Sequence, residues 1–96
     1  MIRHCILVKW NETVTDRASL LPAIEAIFRK TLTIPGVERV ELLPNVVDRP
    51  NRYDLMIAVT MDAASLPAYD ASDAHREWKE TYSSRITSKA IFDHNA

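Results

Sequence analysis

Residues 2–10, Ile-Arg-His-Cys-Ile-Leu-Val-Lys-Trp, are apolar at their centre on both alternating sets of positions. Ile2, His4, Ile6, Val8 and Trp10 take one face, and Arg3, Cys5, Leu7 and Lys9 take the other. A strand that is apolar on both faces is covered on both sides, so the pattern predicts a central strand. After a polar stretch at 11–15 the period changes. Leu20, Leu21, Ile24, Ile27, Phe28 and Leu32 recur at helical spacing, which predicts a helix to about Thr33 with one buried stripe. Pro22 fits its first turn if Ser19 is the N-cap, where a missing N–H costs nothing. A start at Asp16 would make Pro22 a kink instead.

Pro35-Gly36 carries the only glycine of the chain and turns it into a second strand at about 37–47. Pro44 cannot donate to a ladder, so it predicts a sheet edge or a bulge in that strand. Residues 48–52, Asp-Arg-Pro-Asn-Arg, form a loop. Residues 53–61 alternate, with Tyr53, Leu55, Ile57, Val59 and Met61 on one face and Asp54 and Thr60 on the other. Asp62 or Ser65 caps a short helix to about Tyr69, with Pro67 in its first turn. A polar break at 70–73 precedes a second helical piece at about 74–85. A last strand at about 88–94 has Ala90 and Phe92 on one face and Ile91 on the other.

The order β-α-β-β-α-β is the ferredoxin-like, α+β pattern. Right-handed crossovers put both helices on one face of an antiparallel four-stranded sheet, with strands one and three central. His4, Ile6 and Val8 should then face Ile24, Ile27 and Phe28. The opposite face would expose Cys5, Leu7, Leu43, Met56, Ala58 and Ile91, too contiguous an apolar patch for a monomer. Two sheets packed face to face would hide it. A homodimer is therefore expected, with Cys5, Leu7, Met56 and Ile91 at its interface.

At 96 residues the chain is read as one domain, 1–96. A net charge of −1 gives no electrostatic case for nucleic acid, which wants clustered Lys and Arg. Cys5 is the only cysteine, so no internal disulfide can form and a reducing compartment is expected. The N-terminus enters a strand without a signal-peptide pattern, and no apolar run is long enough to span a membrane. A soluble, cytoplasmic protein without membrane contact is expected. There is no glycine-rich phosphate loop, so nucleotide cofactors are disfavoured. Asp70 and Asp73 near His75 read as solvated carboxylates rather than metal ligands, and neither metal nor cofactor is expected.

Two histidines carry the candidate chemistry. His4 sits within an apolar strand, where an unpaired imidazole would cost roughly 1–3 kcal/mol. His75 follows the polar break. If the fold brings both to one cavity they have the makings of an acid–base site. Otherwise His4 is a core histidine bonded to a nearby carbonyl, and His75 a half-solvated residue at a helix start. Tyr69 and His75 are six residues apart and can converge only if the helix breaks between them.

With the elements placed, residues 2–10, Ile34-Pro-Gly-Val37, residues 45–55, Leu66-Pro-Ala-Tyr69, Asp73-Ala-His75 and the Phe92-Asp93 ending together resemble the stress-responsive dimeric α+β barrel family, often called Dabb. Ser72-Asp73 departs from the His-Pro commonly found before the second histidine. The resemblance implies a dimeric α+β barrel. One enzymatic member of the family closes a polyketide ring by aldol condensation. By position His75 is similar to its general base, Tyr69 to the tyrosine paired with that base, and His4 to its strand-one histidine. His4 would donate to a carbonyl oxygen. Ile27 and Ile86 fall near aromatic positions of that cyclase's pocket, and Ile6, Val8, Ile24 and Phe28 would complete the wall. The resemblance thus implies one of two functions. The first is a cofactor-independent lyase or cyclase acting on an apolar carbonyl compound. The second is a non-catalytic dimeric domain that binds a small hydrophobic ligand or serves a stress response.

Overall fold

The computed structural model describes all 96 residues. Strand β1 spans Ile2–Trp10, β2 Val37–Pro44, β3 Leu55–Met61 and β4 Ile86–Asn95. They form one antiparallel sheet in the order β2-β3-β1-β4, so the first and third strands are central. Helix α1 covers Leu21–Arg29, α2 Leu66–Asp70 and α3 Asp73–Tyr82. No helix is long and apolar enough to cross a membrane.

The helix start differs from the expectation. Residues Ala18–Leu20 make a 3-10 turn, and α1 begins after it with Pro22 in its first turn. Ser19 is not the cap; its Oγ donates to the carbonyl of Asp16 at 2.7 Å. The last four residues to Thr33 tighten into another 3-10 turn, where Thr31 Oγ1 donates to the Phe28 carbonyl. Strand β2 ends at Pro44, which lies on the sheet edge, rather than at residue 47, and the Asn45 N–H closes onto the Asp54 carbonyl at 2.9 Å. Ser72 caps α3 by accepting the His75 N–H at 3.1 Å. The chain thus breaks between α2 and α3 where the polar residues stand.

Gly36 has φ +91°, a conformation that L side chains rarely adopt. A Cβ there would also collide with the Ser65 hydroxyl, which donates to the Pro35 carbonyl at 2.7 Å.

The core lies between sheet and helices. Ile6, Val8, Trp10, Leu55, Ile57, Val59 and Met61 from the strands pack with Ile24, Ile27 and Phe28 of α1 and Trp78 and Tyr82 of α3. The Phe28 and Trp78 rings meet edge-on, with centroids 5.3 Å apart. The even positions of β1 face the helices, as alternation requires.

Register corrects two expectations about the open face. Residues directly opposite in an antiparallel ladder share a face. Ile91 pairs with Ile6 and Phe92 with Cys5, so Ile91 lies on the helix side, where β4 is the outer strand and leaves it 49% exposed. Phe92, 61% exposed, takes its place on the open face. Cys5 is already buried within the single chain, because it sits on the central strand between Ala58 and Phe92. The uncovered apolar surface is therefore Leu7, Leu43, Met56 and Phe92.

Candidate functional site

His4, Tyr69 and His75 come together, but in series rather than around a void. His4 projects from β1 toward the helices and is buried. Its ring meets Tyr69 edge-on at a centroid separation of 5.2 Å, and Tyr69 meets His75 in the same way at 5.2 Å. The tyrosine ring stands between the two imidazoles. The turn at Ala71-Ser72 makes this possible, since it lets the residue before the end of α2 and the third residue of α3 point the same way.

A fourth member was missed. Asp93 lies opposite His4 across the β1–β4 ladder, and its Oδ1 is 2.5 Å from His4 Nδ1. His4 donates Nδ1–H to that carboxylate, so this nitrogen is already engaged. Only Nε2 is left for the expected contact of His4 with a substrate carbonyl. The sequence did carry one signal, a lone carboxylate in the apolar run Ala90-Ile-Phe-Asp93. Alternation could not give the phase of β4 against β1.

The electrostatics separate the members. Burial pushes the Tyr69 hydroxyl well above the ordinary tyrosine range, and the Asp70 and Asp93 carboxylates push it further. Its Oη has no hydrogen-bonding partner although it is fully enclosed. His75 is half-buried, and desolvation holds its pKa below the usual 6.5, with Lys79 and Lys89 adding to this and the Asp70 carboxylate and backbone opposing it. A neutral His75 is a competent proton acceptor at neutral pH. Its outer side opens on a surface hollow of about 390 Å³ lined by Asp70, Ser72, Arg76, Lys79 and Glu80.

The expected pocket wall is not a wall. Ile6, Val8, Ile24, Ile27 and Phe28 belong to the packed core, each at most 6% exposed, and Ile86 packs at its edge. Phe28 and Trp78 occupy the space between sheet and helices. Neither these residues nor His4 and Tyr69 line any cavity. In this conformation only His75 is open to a solute.

No family model matches the chain, and no curated protein is significantly similar to it. Solved structures are. A dimeric ferredoxin-like protein of unknown function from Thermobifida fusca superposes with a TM-score of 0.81 at 20% identity, covering 99% of this chain and 90% of that one. A Dabb-family protein from Mesorhizobium loti gives 0.72 at 16% identity, covering 99% and 95%. A hydroxynitrile lyase from Passiflora edulis gives 0.74 at 12% identity, covering 97% and 90%. The chain therefore has the ferredoxin-like α+β fold that these proteins, a Dabb-family member among them, hold in common.

Proposed function

We propose that this protein is a Dabb-type homodimer in which two sheets pack through their open faces, and that it acts as a non-catalytic stress-response or ligand-binding domain. The observation that carries the dimer is the uncovered apolar surface of Leu7, Leu43, Met56 and Phe92. The two longer dimensions of the molecule, 36 and 25 Å, give a face large enough for about 800 Å² per partner, the area of a stable interface. Arg3, Arg39 and Glu41 at the end of the face, 3.7 and 3.8 Å apart in their ion pairs, offer both signs of charge to a second copy. Dimeric relatives of the same fold support the reading.

The test is sedimentation velocity at micromolar concentration. Wild type should run as a dimer. Leu7→Lys should shift it toward monomer, because a buried ammonium would lack a partner. A wild type that sediments as a monomer would remove this proposal.

One observation favours a second reading, a cofactor-independent lyase or cyclase. A buried hydroxyl without a partner costs about 1–3 kcal/mol and is rare in native proteins. The Tyr69 Oη is such a group, flanked by His75 as base and His4 held by Asp93. An apolar carbonyl compound admitted by separation of α2–α3 from β4 would give it an acceptor. Release of an aromatic aldehyde from its cyanohydrin, followed by absorbance, is the first assay, with cyclisation of a short polyketide as the second. His75→Ala should abolish either turnover while leaving the oligomeric state intact. Turnover that survives His75→Ala would discard the assignment.

A further inference from the structure

We propose that a second cavity, at the far end of β1 from His4, binds a small monocarboxylate with an apolar tail. Six residues separate His4 from Trp10, about 20 Å at about 3.3 Å per strand residue, so the two sites do not overlap. The cavity has a volume of about 210 Å³ and is the most enclosed in the molecule. Trp10, Leu21, Pro44 and Leu55 form its apolar walls, and Arg17 and Asp54 stand at its polar end.

That polar end is built. The Asp54 side chain is 5% exposed, and its Oδ2 accepts the Trp10 N–H at 2.8 Å. Its backbone is fixed at both groups, N–H to the Val8 carbonyl at 2.8 Å and carbonyl to the Asn45 N–H at 2.9 Å. The carboxylate therefore cannot move away. Its Oδ1 lies 3.0 Å from one terminal nitrogen of Arg17, so the guanidinium is held at the rim by a buried counter-charge. The Arg17 guanidinium has no protein partner besides Asp54, and its side chain is 56% exposed.

A guanidinium offers five donors in a planar fork suited to a carboxylate. Asp54 holds one terminal nitrogen as an anchor, and the rest of the guanidinium belongs to a half-exposed side chain that lines the cavity. A ligand carboxylate on its remaining donors would place its tail against Trp10, Leu21 and Leu55. At about 30 Å³ per water-sized group, the cavity of about 210 Å³ has room for roughly seven non-hydrogen atoms. That volume takes the seven tail carbons of an eight-carbon acid whose carboxylate stays outside it, on Arg17 at the rim. A cationic ligand would have to displace Arg17 from Asp54, and a neutral one would leave the fork unused.

The experiment titrates the protein with octanoate, octanol and octylamine, reading tryptophan fluorescence and the heat of binding. Trp78 meets Trp10 edge-on at a centroid separation of 6.4 Å, so the two indoles respond together, and the heat of binding is the deciding readout. Octanoate should saturate and bind at least tenfold tighter than either analogue. Arg17→Leu, at an exposed position, should lose that preference with an unchanged circular dichroism spectrum. Leu21→Trp, which fills the cavity, should lose binding of the tail. Equal binding of octanol and octanoate, an undiminished affinity in Arg17→Leu, or no saturable signal would each overturn the proposal.

Discussion

Asp93→Ala isolates the contact that ties the edge strand to the candidate site. The substitution removes the only side-chain partner of His4, whose own side chain is 8% exposed while that of Asp93 is 42% exposed. A buried donor left unsatisfied costs about 1–3 kcal/mol. The pair has one side in water, which screens it, and water can enter the vacated space, so the lower part of that range applies, about 1–2 kcal/mol. For a domain of this size each kcal/mol moves Tm by about 4–8 °C, which gives a loss of about 5–15 °C. The assay is thermal and urea unfolding at one fixed protein concentration, since an associating protein has concentration-dependent stability. His4→Phe supplies the second arm of a double-mutant cycle. In that background Asp93→Ala should cost close to nothing, because no imidazole remains to be stranded. Costs that simply add, within about 0.5 kcal/mol, would refute the claim that the two groups depend on each other.

Tyr69→Phe removes the unpartnered hydroxyl and should leave stability unchanged or raise it by up to about 2 kcal/mol, read by urea unfolding. A clear loss would show that the hydroxyl has a partner in solution. Gly36→Ala should cost more than about 1 kcal/mol, combining strain at positive φ with displacement of Ser65; differential scanning calorimetry measures it. His75 has a folded pKa below its unfolded 6.5, so the unfolded chain binds more protons in that window and stability falls as pH drops through it. His75→Gln should flatten that slope, and an NMR titration of its imidazole should show a midpoint below 6.5.

The even positions of β1 fixed which way His4 faces, since a strand with Ile6, Val8 and Trp10 on one side has no other way to build a core. The break before α3 was also legible, because Asp70-Ala-Ser-Asp73 is poor helix interior and Ser72 is a good cap. What failed was phase. Alternation in β4 places Ile91 opposite to Ala90 and Phe92, yet nothing in the residues fixes which set joins Cys5. That choice depends on pairing across some eighty residues, and with it went both the interface assignment of Ile91 and the partner of His4. The cavity was illegible for a related reason. Ile27, Phe28 and Ile86 are the same residue types whether they line a void or fill one, and Trp78 decides the matter from a different helix.

The sheet order has a consequence for synthesis. β1 is central only because β4 covers its outer edge, and β4 leaves the ribosome about eighty residues later. At about 5–20 residues per second, the apolar run Ile2–Trp10 spends roughly 4–16 s with at least one unpaired edge and no mate for His4. Open edges of this kind recruit strands from other chains. Nascent copies stalled before Ile86 should thus be favoured substrates for a holdase, and released chains lacking β4 should aggregate while the full chain stays in solution.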